Sequence, residues 1–104
     1  MTALTVYTSN RDGEEVVFES PGASATAANN GRTTVLIENT SGATLNIGQV
    51  IVKTVDGVTP DPKPATVANN SWVTLGPWDR DIYSDPVTLT FDQLTGVAVV
   101  ALTY

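Results

Sequence analysis

Along much of this chain, apolar side chains recur at every second residue and rarely at every third or fourth. Val35 and Ile37 alternate with Thr34 and Leu36, and Val87, Leu89 and Phe91 alternate with Thr88, Thr90 and Asp92. Near the end, Val97, Val99 and Ala101 alternate with Ala98, Val100 and Leu102. A period of two belongs to strands, whose successive side chains point to opposite faces. Turn residues interrupt the pattern at roughly the eight-to-twelve-residue spacing typical of small sandwiches and barrels.

These signals predict strands over residues 4–7 and 16–18, joined through the turn Asn10-Arg11-Asp12-Gly13, and a thin strand over the small residues 23–28. Residues 33–38 read as a central strand with apolar side chains on both faces. Residues 43–54 read as a longer strand whose alternation slips at Gly48-Gln49, which suggests a bulge or bend at Gly48. The stretch 56–64, with Pro60, Pro62 and Pro64, reads as surface loop. Two short strands, or one bent strand, follow over 65–68 and 71–75 around Asn69-Asn70. Residues 82 and 83 are expected to pair briefly before the strands at 87–92 and 97–103. The expected architecture is an all-β, antiparallel β-sandwich of about eight strands with jelly-roll or Greek-key connections, a seven-stranded immunoglobulin-like sandwich being the alternative. Its predicted core is Val35, Ile37, Leu45, Ile47, Trp72, Leu89, Phe91, Val97 and Val99.

The length of 104 residues and 41% hydrophobic content suit one core, hence one domain over 1–104, with 1–11 a candidate N-terminal arm. There is no cysteine and no histidine, which removes disulfides, thiolate zinc sites, the commonest general base and any Ser-His-Asp triad. No cofactor, metal or catalytic residue is expected. Eleven acidic against five scattered basic residues, net charge −6, argue against nucleic acid as a partner. No apolar run reaches the ~18 residues of a membrane span, and residues 1–7 lack the pattern of a secretory leader, so a chain made and kept in water is expected.

The remaining chemistry is carboxylate and aromatic. Asp79, Asp81 and Asp85 around Arg80 could serve glycoside hydrolysis or calcium, but lack a recognisable calcium-loop pattern and read better as a solvated turn with Arg80 pairing locally. Trp72 lies in an apolar strand and reads as core. Trp78, between Pro77 and Asp79, is either a turn residue folded over the sheet end or a contact residue, of the kind a carbohydrate-binding module would use. Glu14, Glu15 and Glu19 around Val16, Val17 and Phe18 mark an exposed or edge strand. Leu4, Val6, Tyr7 and Arg11 lie before the first firm turn; as an arm they would reach a neighbouring subunit by strand addition, and as an edge strand they would complete the same sandwich. With Trp78, they are the candidate partner-binding residues.

The run Asn29-Asn30-Gly31-Arg32-Thr33, the strand after it, Asn39 and Ser41-Gly42-Ala43 resemble a segment recurrent in small virion proteins of tailed bacteriophages. Leu75-Gly76-Pro77, the acidic turn through Tyr83, residues 87–92 and Thr95-Gly96-Val97 before the last strand are similar to the ends of those proteins. The resemblance spans about residues 29–104 and differs in the Pro-rich loop. It implies a β-sandwich on the outer capsid surface of a virion, made in the host cytoplasm. The implied role is head decoration or cement, with tail or connector placement as the alternative. The implied partners are the major capsid protein and copies of the chain itself, as a homo-oligomer with a trimer favoured. It carries over no catalytic residue.

Overall fold

The computed structural model describes residues 1–9 and 12–103. Among these residues there are nine strands and one short helix: β1 (Thr2–Ala3), β2 (Val6–Thr8), β3 (Ser24–Ala27), β4 (Thr34–Asn39), β5 (Leu45–Gln49), β6 (Lys63–Val67), β7 (Ser71–Leu75), α1 (Arg80–Tyr83), β8 (Val87–Phe91) and β9 (Val97–Thr103). They form two packed sheets, ordered β1-β3-β8-β5-β6 and β2-β9-β4-β7. Only β5 and β6 follow one another within a sheet; every other connection crosses to the opposite sheet. Both sheets are mixed, because β1 pairs parallel to β3 and β2 parallel to β9, while the remaining named pairs are antiparallel.

The core is what the alternation predicted, with one exchange. Val35, Ile37, Leu45, Ile47, Leu89, Phe91, Val97 and Val99 are buried between the sheets, joined by Ala25, Ala27, Val67 and Val87. Trp72, expected in the core, is 53% exposed, and Trp78 takes its place at 4%. Register explains the first half: Val73 packs against the core, so its neighbour Trp72 points to the outer face of β7.

The N-terminal segment serves both sheets. Thr2–Ala3 lies along β3, Leu4 drops into the core with its N–H donating to the Thr26 carbonyl, and Val6–Thr8 lies along β9. The single strand predicted over 4–7 is thus split at a buried leucine, and of the two readings, arm or edge strand of the same sandwich, the segment follows the second.

Three further expectations change. Residues 16–18 form no strand; only Glu19 bridges, exchanging both backbone hydrogen bonds with Val99, because the β9 edge is already occupied further along by β2. The strand expected over 43–54 ends at Gln49, and Gly48 sits in unbroken register with Pro64 and Thr90, without a bulge. Glycine is needed there because a Cβ would come within 2.5 Å of Thr90 Oγ1. Beyond it the chain leaves the sheet, and the Val52 and Lys53 N–H groups both donate to the Ile82 carbonyl. Residues 82 and 83 belong to α1 and do not pair as strand; Asp79 caps that helix by accepting from the Asp81 N–H.

Polar groups inside the sandwich are fully partnered. Asn39 is completely buried; its Nδ2 donates to the Ala43 and Val67 carbonyls, and its Oδ1 accepts from the Ser41 N–H and Oγ. That side chain ties the β4–β5 turn to the end of β6. Among the described residues no buried side-chain nitrogen or oxygen is left unpaired.

Where β8 ends beside β5, Asn46 holds Asp92 through its Nδ2, 2.7 Å, and its backbone N–H, 2.8 Å. These two hydrogen bonds, the side-chain one first, lower the Asp92 pKa from the ordinary 3.8. A carboxyl whose folded pKa is depressed contributes stability above its unfolded pKa and loses it as pH falls through the folded value. In an NMR titration, Asp92 is expected to show a midpoint below 3.8, moving up toward it in Asn46→Ala. A wild-type midpoint at or above the ordinary value would contradict this hydrogen bonding.

Candidate functional site

The two outer faces of the sandwich differ in chemistry. On the five-stranded sheet, register aligns Ser24 with Thr90, Thr26 with Thr88 and Asn46 with Thr66, a polar and mostly hydroxyl-bearing surface. On the four-stranded sheet the rows across the outer face read Trp72–Glu38–Ala98, Thr74–Leu36–Val100 and Thr34–Leu102–Tyr7. Apolar residues dominate this second face.

A loop segment adds to it. Glu19 is bonded to β9, yet the ring of Phe18 meets that of Trp72 on β7, with centroids 5.5 Å apart and planes at 79°. Glu19 lies on the side of β9 away from β4, and β7 lies beyond β4, so the two rings meet on the outer face across roughly three strand spacings, about 14 Å. Val17 is 61%, Phe18 38% and Trp72 53% exposed, whereas Val100, in the next row, is buried. Glu38 lies within the face, and Glu14, Glu15 and Glu19 belong to the segment that supplies Phe18. The result is a mostly apolar face with an exposed aromatic pair, the chemistry expected of a protein-contact surface.

The residues singled out from sequence do not converge on this surface. Leu4 is core and Trp78 is enclosed, so neither is available to a partner. Trp78 Nε1 donates to Gln49 Oε1 at 2.8 Å, and its ring lies 3.1 Å from where a Cβ on Gly76 would stand; this glycine has a φ of +101°. Val6 and Tyr7 are half-buried on β2; Tyr7 is in register with Leu102 at the edge of the apolar face. Arg11 lies outside the described residues. Sequence reasoning missed Trp72 as a surface residue. The segment of Phe18 was expected to be an exposed or edge strand from its flanking glutamates; Val17 and Phe18 are exposed, although no strand forms there.

The carboxylate cluster has structural occupations. Asp79 caps α1, Asp81 pairs with Lys53 at 3.0 Å, and Asp85 accepts from the Asn29 N–H at 2.8 Å and lies 3.4 Å from Arg80. Arg80 thus pairs locally, as expected. Asp81 raises the Lys53 pKa, by its hydrogen bond first and its charge second. No group of three or more metal-ligating side chains exists among the described residues, and no helix there is long and apolar enough to cross a membrane.

A recess of about 280 Å³ opens at one end of the sandwich, lined by Val6, Thr8, Asn29, Thr33, Asp85 and Thr103 among others. Its polar groups are largely bonded to each other or to backbone: Asn29 Nδ2 donates to the Ser84 carbonyl and Thr33 Oγ1 to the Ala28 carbonyl. They fix the β3–β4 turn against the end of α1.

No protein-family model, curated protein or solved structure matches this chain.

Proposed function

We propose that this protein is a non-catalytic structural component of a bacteriophage virion, a decoration or cement protein that binds the major capsid protein lattice. The observation that carries the binding role is the exposed aromatic pair Trp72 and Phe18 on the mostly apolar outer face of the four-stranded sheet. The phage assignment rests on the sequence resemblance over residues 29–104. Binding confined to the mature lattice would stabilise that form by mass action, and the free energy would come from burying the aromatic centre. The matching surface on the partner is apolar.

A carbohydrate-binding role has less support. The two aromatic rings meet edge to face and offer no common plane for a sugar, and Trp78 is inside the fold.

The test is quantitative mass spectrometry of intact particles from a phage that encodes the chain, with wild-type and Trp72→Ala proteins compared. The reading expects a fixed ratio to the major capsid protein, and retention at least ~30-fold weaker for the variant, the size of a hot-spot loss of about 2 kcal/mol. Absence of the wild-type chain from washed particles would reject it.

A further inference from the structure

We propose that two copies of this chain pair through β7, joining their four-stranded sheets into one continuous eight-stranded sheet. This rests on the free chain's edge geometry and stands apart from the virion reading.

The four edge strands are not equivalent. β1 and β2 have two and three residues, too short to template a ladder. β6 opens with Lys63 and Pro64, a charge and a missing donor, both common guards of a free edge. β7 reads Ser-Trp-Val-Thr-Leu: five residues, without charge, proline or glycine. The edge is unguarded in its surroundings too, since residues 64–78 contain no charged side chain although the chain as a whole carries −6. Two acidic copies can therefore bring β7 and its flanking residues together without setting charges of this segment face to face. Glu38, the charged residue in register with Trp72, is one strand in, so its counterpart would lie three strand spacings away, roughly 14 Å and beyond the ~8–10 Å screening length at ordinary salt.

The backbone supplies the register. Val99 exchanges its N–H and C=O with Glu19, so these groups face away from β4. In an antiparallel ladder the bonded direction alternates, which turns Ala98 and Val100 toward β4 and makes Glu38 and Leu36 their bonded partners. Val35, Ile37 and Asn39 then face β7, where they meet Leu75, Val73 and Ser71. Trp72 and Thr74 are left with N–H and C=O groups directed outward, where no described strand lies.

Those groups are self-complementary about a two-fold axis at Val73. Trp72 of one copy lies opposite Thr74 of the other as a bonded pair, the same pair repeats by symmetry, and Val73 faces its own counterpart between them. Four backbone hydrogen bonds form. On the inner side, the half-buried Val73 and Leu75 lose their remaining exposure. On the outer side, the two Trp72 side chains become diagonal neighbours, a separation that aromatic side chains span. Such a contact is isologous and closes at two copies, in place of the trimer implied by the family resemblance.

The test measures the free, full-length protein by sedimentation velocity from about 1 μM to 1 mM, together with amide hydrogen exchange. Wild type is expected to form a dimer, with Trp72 and Thr74 amide exchange slowing as concentration rises. Thr74→Pro removes an outward N–H and no bond within the monomer; it should be monomeric with an unchanged circular dichroism spectrum. Should that variant not fold, Thr74→Lys, which sets a charge opposite the partner's Trp72, is expected to weaken the dimer at least ~10-fold. A wild type that stays monomeric, forms trimers, or gains protection elsewhere overturns the proposal, as does a folded Thr74→Pro or Thr74→Lys that dimerises like wild type. Particle retention plays no part in these readouts, so this inference and the virion reading fail separately.

Discussion

Replacement of Ile37 with alanine is expected to lower unfolding free energy by about 2–5 kcal/mol. Ile37 is fully buried at the middle of β4, the strand between β9 and β7, with Val99 in register on one side and Val73 on the other. Three apolar heavy atoms would be lost from a site whose neighbours are held by two hydrogen-bonded ladders. The surrounding backbone cannot collapse into the space, which places the loss well above simple transfer of the missing groups. For a domain of this size, total stability is on the order of 5–15 kcal/mol, so the variant should show a large fall in denaturant midpoint with an unchanged slope. Equilibrium urea unfolding measures both. A loss below about 1 kcal/mol would mean that β4 is not the centre of the core.

The strands that carry this core were legible because their alternation is long and regular. Residues on β4, β5, β8 and β9 follow the period-two rule through at least four positions, and burial follows it too except at Val100, which is buried on the outer face of β9. The layout of the connections was not legible. Turn residues report where the chain reverses but not whether it returns to the same sheet, and here seven of the eight strand-to-strand connections cross between sheets. The segment at 16–18 is apolar enough for a strand, yet a strand needs a vacant edge, and β2 already takes part of the neighbouring one. Gly48 illustrates the opposite error. A glycine within alternation suggested a bulge, whereas its cause is close approach of the Thr90 side chain from the neighbouring strand.

Buried polar residues were equally hidden. Asn29 and Asn39 lie in sequences that read as ordinary turns, and both are fully enclosed. Their amides pair with carbonyls at 84 and 67, partners fixed only by the tertiary fold, besides the local carbonyl at 43. The candidate surface suffered in the same way: Phe18 and Trp72 are 54 positions apart, and nothing local brings them together.

The exchange of roles between the two tryptophans gives the second large effect. Trp78→Ala is expected to destabilise the fold by about 3–5 kcal/mol, and Trp72→Ala, measured on dilute protein, by no more than ~1 kcal/mol. Sequence context suggested the reverse, because Trp72 stands among apolar strand residues and Trp78 between a proline and an aspartate. Parity decides Trp72: Val73 faces the core, so Trp72 must face outward. For Trp78 the deciding feature is the turn, where Gly76, with its positive φ and no Cβ, leaves room for the indole to fold back beneath it. Once inside, the indole N–H needs an acceptor and finds Gln49 Oε1, itself buried on β5. Trp78→Phe separates these contributions, since it keeps most of the ring but strands the Gln49 oxygen, at a loss of about 1–3 kcal/mol. Gln49→Leu in the same background removes the stranded group and should recover part of that loss. Denaturant unfolding followed by far-ultraviolet circular dichroism ranks all four variants. If Trp72→Ala proves more damaging than Trp78→Ala, the assignment of inner and outer faces on β7 is wrong.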